Sequence, residues 1–244
     1  DVWFDDTQVL VARDHEGSTA GLFLAAKGGH NAESHNHNDV GSFIVYSDGK
    51  PLIVDAGVET YTRKTFSPQR YEIWTMQSAY HTLLPTFDGV MQAPGRAFAA
   101  RDVRYSADAE SAQLALEIAA AYPPEAHLGA WTREITLQRG KDLVVRDVFA
   151  LDQPVQCIAL SVLTPCAARV AGDQVLFEPA VFAGDRQTGA GVLSFDPQVF
   201  DVHLVSIPIT DARMGGVWGS QLLQVVFTPR APVQLGTWEW RVTA

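Results

Sequence analysis

The sequence predicts an all-β fold, with its strands arranged as a sandwich or a barrel. Turn signals recur about every 8–12 residues, and short apolar or alternating runs fill the intervals between them. No segment repeats its apolar positions with the period of an amphipathic helix over a helix-length stretch. One domain spanning residues 1–244 is the simplest division, because no fixed-length repeat, low-complexity tract or linker interrupts the pattern.

The predicted strands are the apolar runs between the turns. The turn signals are DHEG, SDGK, FDGV, QRGKD and AGD, and the runs include VLVA, GLFLAA, SFIVY, PLIVD, REITLQ, DLVVRDVF, IALSVL, HLVSIPI and LLQVVF. Residues 111–121 are rich in alanine, which favours helix, but Leu114, Leu116 and Ile118 alternate, so we predict a strand there. Residues 64–80 are polar and aromatic without a clean period, which indicates a long functional loop with a helical turn.

A tight hairpin is predicted where the dipeptide DG at 48–49 separates SFIVY from PLIVD, because Asp-Gly favours a type I′ turn. In that register Asp55 faces Ser42, and His37 lies about 17 Å further along the strand. Asp55 would also point to the wrong face of the sheet. If Asp55 and His37 are to share a metal, the strand must therefore break or bulge within residues 38–41, where NDVG has a suitable composition.

The net charge, the lengths of the apolar runs and the number of cysteines limit the classes of protein to which this chain can belong. A formal net charge of -10 argues against general binding to nucleic acid or to anionic membranes. Residues 61–105 nevertheless hold six basic and three acidic residues, and this stretch could receive an anionic ligand. No apolar run approaches the roughly 20 residues that span a bilayer. Cys157 and Cys166 form at most one disulfide bridge and do not decide the compartment.

The first residues, DVWFDDTQVL, have neither the basic region of a signal peptide nor an initiator methionine. We therefore expect either a mature product or a domain cut from a longer chain.

Residues 34–39 read SHNHND and carry the strongest chemical signal in the chain. On an extended segment His35 and His37 would point the same way, about 7 Å apart. Neutral imidazoles bind zinc well, and a carboxylate commonly completes the ligand set. These residues alone are compatible with a metal site, a proton-transfer site, or a polar strand end whose histidines bond to backbone carbonyls.

A second metal motif overlaps the same residues. HNHND matches the first five positions of H-x-H-x-D-H, the two-metal motif of metallo-β-lactamase-type hydrolases, but Val40 replaces the final histidine. That fold also alternates strands with helices, which this sequence does not predict. The two-metal hydrolase is therefore the weaker alternative.

Three blocks in order, GGHNAESHNHNDVG, SDGKPLIVDAGVETY and RYEIWTMQSAYHTLLPTFDGVMQ, resemble the β-sheet domain of the heparinase II/III-like polysaccharide lyases. The likeness is dense over residues 20–92 and thins afterwards to general β character. It implies a large antiparallel β-sandwich of the supersandwich type, which in this family follows an N-terminal helical (α/α) toroid. The 244 residues contain no toroid, so we expect that domain of the parent chain to be a partner that supplies the other half of the site.

The resemblance also implies a reaction and a cofactor. The family cleaves acidic, uronate-containing polysaccharides by β-elimination, and a metal, usually zinc, is bound in the β-domain. Carried over to this sequence, the ligands of one structural zinc are His37, Asp55 and His81. The chain reads HT at 81–82, where relatives often read His-Asn. We expect this difference to change a side-chain contact around His81 rather than the role of His81 as a ligand. A periplasmic or secreted location is implied by the same resemblance.

The expected catalytic residues lie beside the metal ligands. The resemblance implies that His35 faces the cleft and neutralises or polarises the uronate carboxylate, and that a tyrosine of this domain, Tyr61 or Tyr71, reaches the cleft. Arg63 or Arg70 could serve the negative charge that develops during elimination. No complete base–acid pair is present, which agrees with half of the site lying elsewhere.

Two functional classes follow from the sequence. The first is the C-terminal domain of a polysaccharide lyase, inactive alone. The second is a non-catalytic, metal-containing carbohydrate-binding or structural β-module. Tryptophans can stack on sugar faces, but we expect most of them to pack in the core or at its rim. The five considered are Trp74, Trp131, Trp218, Trp238 and Trp240.

Overall fold

A computed structural model describes residues 1–244 and confirms the predicted all-β class. Strands provide most of the regular structure, and each sheet pairing is antiparallel. The strands are β1 (Val2–Phe4), β2 (Val9–Arg13), β3 (Leu22–Lys27), β4 (His30–Asn31), β5 (Phe43–Ser47), β6 (Lys50–Ile53), β7 (Thr86–Phe87), β8 (Gly95–Ala99), β9 (Arg101–Ala107), β10 (Ser111–Glu117), β11 (Leu128–Gln138), β12 (Asp142–Leu151), β13 (Ile158–Thr164), β14 (Ala167–Ala171), β15 (Gln174–Glu178), β16 (Val181–Phe182), β17 (Arg186–Gln187), β18 (Gly191–Ser194), β19 (Phe200–Pro208), β20 (Gln221–Pro229) and β21 (Leu235–Thr243).

Three open sheets form the body of the molecule, as predicted for a β-sandwich. The largest has eight strands in the order β14-β15-β18-β21-β12-β11-β10-β9. A five-stranded sheet runs β1-β2-β3-β5-β6, and a four-stranded sheet runs β19-β20-β13-β7. Two short ladders, β4-β8 and β16-β17, complete the pairing.

The core contains residues from all three large sheets, and 42 buried side chains form one continuous hydrophobic cluster. Its centre is aromatic: Trp131 stacks on Phe149 at 4.6 Å between ring centroids and meets the edge of Trp238 at 5.6 Å. Trp240 is fully buried beside them. The expectation that most tryptophans pack in the core is confirmed.

The hairpin formed by β5 and β6 turns at residues 48–49, as predicted. Asp48 and Gly49 have φ values of 50° and 73°, which are the two positive values that a type I′ turn requires. The predicted register holds next to the turn, where Ser47 pairs with Lys50. A bulge between Val45 and Tyr46 then shifts the pairing.

The predicted interruption before β5 is confirmed. β5 begins only at Phe43, and the residues before it make a turn in which the N–H of Ser42 donates to the carbonyl of Asp39 at 3.0 Å. Gly41 has a φ of 86° in this turn, a conformation that side chains disfavour. The chain therefore changes direction between the histidine motif and the strand that follows it.

The second strand of the hairpin also ends early. β6 stops at Ile53, and Val54 pairs with Leu163 of β13, which belongs to the four-stranded sheet. The chain thus passes from one sheet to another immediately before Asp55. This change of sheet frees Asp55 from the face that a regular hairpin would give it.

Residues 64–80 form an extended loop as predicted, but with four helical turns rather than one. These 3₁₀ helices are Lys64–Phe66, Pro68–Glu72, Trp74–Met76 and Ser78–Tyr80, and two more lie at Ala119–Ala121 and Pro124–Ala126. The strand predicted over 111–121 is confirmed as far as Glu117, where β10 ends.

One α-helix, α1 (Ala212–Trp218), was not predicted from the sequence. It has seven residues, and no helix of the protein is long and apolar enough to cross a bilayer. Cys157 is exposed and Cys166 is buried, and the two thiols are not bridged.

Candidate metal centre

Three side chains from separate segments converge on one point. His37, Asp55 and His81 each offer a ligand atom, and these atoms lie within 4.8 Å of one another. Nδ1 of His81 is 2.7 Å from Oδ2 of Asp55, and the rings of His37 and His81 are 5.3 Å apart. The structure therefore brings together the three residues that the sequence analysis named as metal ligands.

Asp55 is placed by the change of sheet after β6. Its Oδ1 accepts a hydrogen bond from the N–H of Gly57 at 2.6 Å, which leaves Oδ2 to face His81. Because one oxygen is occupied by the chain's own turn, the orientation of the carboxylate is fixed before any ligand arrives.

His81 follows the last 3₁₀ helix of the long loop and is only 2% exposed. Its N–H donates to the carbonyl of Ser78 at 3.1 Å, and the Ser78 hydroxyl accepts the N–H of Gln92 at 3.0 Å. The next residue, Thr82, donates its N–H to the hydroxyl of Ser42 at 3.2 Å. His81 is therefore held between the loop and the start of β5.

The segment that carries His37 has no regular structure, and side-chain amides hold it instead. The buried Gln92 side chain accepts the N–H of Val40 at 3.1 Å and donates to the Val40 carbonyl at 2.8 Å, much as a neighbouring strand would. Asn38 donates its N–H to the carbonyl of Met76 at 3.0 Å and its amide to the carbonyl of Gln92 at 3.1 Å. These bonds fix the backbone on the C-terminal side of His37.

A buried cation supports the same region from within the core. Arg133 is fully buried and forms a two-point ion pair with Asp147, with N–O distances of 2.8 and 2.7 Å. Its remaining donors bond to the carbonyls of Gly41 at 3.0 Å and Leu83 at 2.6 Å. Arg133 thereby joins the turn after His37 to the segment after His81.

The electrostatics of the three residues centre on the Asp55 carboxylate. Burial lowers the pKa of His37, which favours its neutral, metal-binding form. Burial also opposes ionisation of Asp55, but the adjacent His81, with His37 and the Gly57 N–H, lowers the pKa of Asp55 to about 2. Burial lowers the pKa of His81 while the facing Asp55 carboxylate raises it, and the net shift is upward.

The residues fit a metal better than they fit a hydrogen-bonded pair. Nδ1 of His81 lies 2.7 Å from Oδ2 of Asp55, yet both ring nitrogens of His81 are buried without a hydrogen-bond partner. Buried nitrogens are normally satisfied, so these two require an explanation. Two imidazoles and one carboxylate form a ligand set that zinc accepts, and in this chain His37, Asp55 and His81 would hold it.

His35 lies beside the centre but not on a strand, and the extended conformation expected for His35 and His37 was wrong. His35 has a φ of 57°, in a turn where the N–H of Asn36 donates to the carbonyl of Glu33 at 3.2 Å. The turn directs the exposed His35 ring onto Tyr61, and the two rings stack at 5.9 Å with an angle of 7°. The two histidines are therefore separated: His37 joins His81, and His35 joins Tyr61.

The other expected site residues contact the same loop in different ways. Tyr71 donates its hydroxyl to Oδ1 of Asn36 at 3.1 Å. Arg70 bonds to the carbonyl of Asn36 at 2.8 Å and to that of Thr65 at 2.9 Å, so part of its donor set is used to hold the backbone. Arg63 is exposed at the start of the first 3₁₀ helix. Tyr71 and Arg70 thus shape the segment between His35 and His37.

Two features of the site were missed by the sequence analysis. Helix α1 adjoins Tyr61 through Arg213, whose guanidinium carbon is 5.5 Å from the Tyr61 ring centroid. No sequence signal indicated this contact, since it joins residues about 150 positions apart in the chain. The Arg133–Asp147 pair did leave a signal: both residues occupy inward positions of alternating strands that should carry apolar side chains.

Comparison with known proteins places this geometry in a family. The chain matches the family described as "Heparinase II/III-like, C-terminal" over residues 2–195. No curated protein matches the chain.

Three solved structures share the fold. The heparan sulfate lyase HepC from Pedobacter heparinus is 14% identical with a TM-score of 0.69, covering 96% of this chain and 36% of that one. The heparinase III BT4657 gene product is 13% identical with a TM-score of 0.71, covering 100% and 34%. A further heparinase III is 15% identical with a TM-score of 0.66, covering 99% and 36%.

This chain spans about a third of the length of each of these structures. The family match covers most of the chain's own length, and it includes all three residues of the candidate metal centre as well as His35 and Tyr61. The resemblance noted in the sequence is confirmed, and the chain belongs to the heparinase II/III-like, C-terminal family.

Proposed function

We propose that this chain is the C-terminal domain of a polysaccharide lyase that cleaves uronate-containing glycans by β-elimination. The observation that carries the proposal is the pairing of two arrangements on one loop: the His37–Asp55–His81 centre and, beside it, the exposed His35 ring stacked on Tyr61. Family membership and the fold shared with a heparan sulfate lyase and heparinase III structures support it.

β-Elimination removes the weakly acidic proton at C5 of a uronate, next to the carboxylate. Negative charge then spreads onto the carboxylate, and groups preorganised beside it stabilise the transition state. In this chain His35 is the group that would face the carboxylate. Its stacking on Tyr61 fixes the ring plane without using either ring nitrogen.

The base and the acid are not both supplied by this chain. Tyr61 stacks on His35, while the hydroxyl of Tyr71 already donates to Asn36. A base must come within hydrogen-bond reach of the C5 proton. We propose that an N-terminal (α/α) toroid of the parent chain forms the opposite wall and supplies the missing groups.

The zinc in this proposal is structural. Bound by His37, Asp55 and His81, it would supply a positive charge that links three segments, and it takes no part in proton transfer. The loop between His35 and Asn38 would then be held at both of its sides, by the metal and by Gln92. A secreted or periplasmic site of action is part of the same proposal, since acidic polysaccharides of this kind lie outside the cytoplasm.

The decisive experiment compares His35→Ala with wild type in the full-length parent protein. We expect turnover to fall by about a hundredfold or more, the scale of one positioned catalytic group. The assay is the absorbance of the unsaturated product on heparan sulfate, chondroitin, hyaluronan, alginate and ulvan.

The matched control is His203→Ala, which removes an exposed histidine on β19 that belongs neither to the candidate metal centre nor to the His35–Tyr61 stack. We expect this variant to retain full activity. The isolated 244-residue chain should have no measurable lyase activity, because one wall cannot hold the sugar in a reactive geometry. Robust cleavage by the isolated chain, or full activity of the His35→Ala parent, would contradict the proposed role of this site.

A non-catalytic carbohydrate-binding or structural module is the second candidate. The observation that favours it is that Arg70 and Tyr71, two residues of the expected set, hold the backbone and a side chain of the loop rather than facing a ligand. Two results together would favour the non-catalytic module over the lyase: the parent gene encodes no toroid upstream of this domain, and the protein binds a glycan without forming the unsaturated product.

A further inference from the structure

We propose that Arg213 of helix α1 binds an anionic group of the glycan, a carboxylate or a sulfate, at the tyrosine on which His35 stacks. The inference rests on the proposed function for the nature of the ligand. It adds a residue that the sequence analysis did not consider and that lies beyond the family match, which ends at residue 195.

Helix α1 is fixed to the segment that carries the site. Asp211 caps the helix by accepting the N–H of Met214 at 2.9 Å, and its other oxygen accepts the N–H of Thr60 at 3.1 Å. At the opposite end, the indole N–H of Trp218 donates to the carbonyl of Ala56 at 2.9 Å. Both ends of the helix are thus tied to residues that flank Asp55 and Tyr61.

The tie at Thr60 places Arg213 against the next residue. The guanidinium carbon of Arg213 is 5.5 Å from the ring centroid of Tyr61, and His35 stacks on the same ring at 5.9 Å. A cation and an imidazole therefore share one aromatic support. An aromatic ring attracts a guanidinium by its face while leaving the N–H donors free to bond elsewhere.

Arg213 is exposed, and its guanidinium makes no hydrogen bond or ion pair with the protein. Two basic residues of the loop that follows Tyr61 are committed, since Lys64 pairs with Glu72 at 3.0 Å and Arg70 bonds to backbone carbonyls, while Arg63 is exposed on that loop. The planar fork of arginine matches the two oxygens of a carboxylate or sulfate. In a chain with a net charge of -10, an anionic ligand needs such a local cation.

The test is steady-state kinetics of the full-length parent protein with Arg213→Gln. Two substrates are used: alginate, which has carboxylates alone, and heparan sulfate, which has carboxylates and sulfates. We expect KM to rise by about ten- to a hundredfold, the effect of one hydrogen-bonded charge, while kcat changes by less than about twofold. Arg213→Lys should give a smaller rise, because a lysine keeps the charge without the fork.

The matched control is Arg104→Gln, which removes an exposed arginine without an ion pair from β9, at the edge of the eight-stranded sheet. It should leave KM unchanged on both substrates. A rise on both substrates would assign the contact to the carboxylate, and a rise on heparan sulfate alone would assign it to sulfate. An unchanged KM for Arg213→Gln, or an equal rise for Arg104→Gln, would overturn the inference while leaving the lyase function intact.

Calorimetric titration of the same glycans separates this inference from the lyase activity. If the wild-type parent binds a glycan without cleaving it, loss of affinity in Arg213→Gln but not in Arg104→Gln still supports the assignment, and equal affinities overturn it. A wild-type parent that binds neither glycan overturns the inference together with the proposed function.

Discussion

At the scale of single residues, the buried Arg133 links stability to the site. Its charge is balanced by Asp147 alone, and its other donors satisfy carbonyls in the turn after His37 and the segment after His81. An ion pair of this kind adds little net stability over apolar residues, but breaking it leaves a buried charge without a partner. The position of the two histidine segments depends on this one guanidinium.

We predict that Arg133→Met lowers the free energy of unfolding by about 3–5 kcal/mol, measured by urea titration. The double variant Arg133→Met/Asp147→Leu should recover part of the loss, because no charge is then left unpaired. Its metal content should stay below that of wild type, since the carbonyls of Gly41 and Leu83 have lost their donor. A single variant within about 1 kcal/mol of wild type would contradict the prediction.

The sequence contained part of this information. In REITLQ and DLVVRDVF, Arg133 and Asp147 stand at positions whose neighbours two residues away are buried and apolar, and the two residues face each other in the register of β11 and β12. Such a pair of inward charges on adjacent strands can be predicted once the pairing is known. Their bonds to Gly41 and Leu83 could not be predicted, because they join segments that are 92 and 50 positions apart in the chain.

At the scale of elements, the turn between β5 and β6 determines where β6 begins, and β6 is the strand that leads to Asp55. Gly49 has a φ of 73°, and a Cβ added there would lie 3.0 Å from Cβ of Thr19. We predict that Gly49→Ala lowers the free energy of unfolding by about 1–2 kcal/mol, the cost of a left-handed residue with a side chain. Chemical denaturation of both proteins measures the difference.

The control for this substitution is Gly215→Ala in helix α1, where an added Cβ meets nothing within 4 Å. Alanine is favoured over glycine in a helix, so this variant should gain up to about 1 kcal/mol. If both variants change stability in the same direction, the backbone conformation at residue 49 is not the cause.

Local patterns predicted the hairpin, its register at the turn and the break before β5, because each depends on residues close together in the sequence. The contact of Val54 with Leu163 was beyond such reasoning, since it is decided by packing between distant strands. Helix α1 was missed for a related reason. ARMGGVW is short and contains two glycines, and its helix depends on the Asp211 cap and on Trp218 packing against the Asp55 segment.

At the scale of the whole molecule, the candidate metal centre joins three segments of the chain that are separate in the sequence. His37 belongs to the irregular segment before β5, Asp55 follows β6, and His81 ends the long loop. The ligand set was expected from family resemblance, and the chain brings these side chains within 4.8 Å of one another. The identity of the metal remains a prediction.

We predict close to one equivalent of zinc by elemental analysis of protein purified without added metal. A chelator should lower the melting temperature by roughly 5–10 °C, the shift expected for a ligand present at about a hundred times its dissociation constant. Asp55→Ala should abolish the zinc content, whereas His203→Ala on the exposed β19 should not. Less than about a tenth of an equivalent, with no change in melting temperature on adding zinc, would refute the assignment.

The passage of the chain from the five-stranded to the four-stranded sheet at Val54 has a further consequence. Asp55 sits at the seam between the two sheets, one residue beyond the pair with Leu163. Any slippage of one sheet over the other would alter the distance from its carboxylate to the two imidazoles. Metal binding and the packing of the two sheets must then be linked. A metal held there would stabilise the native alignment of the sheets, and any change that disturbs this alignment would lower the affinity for the metal.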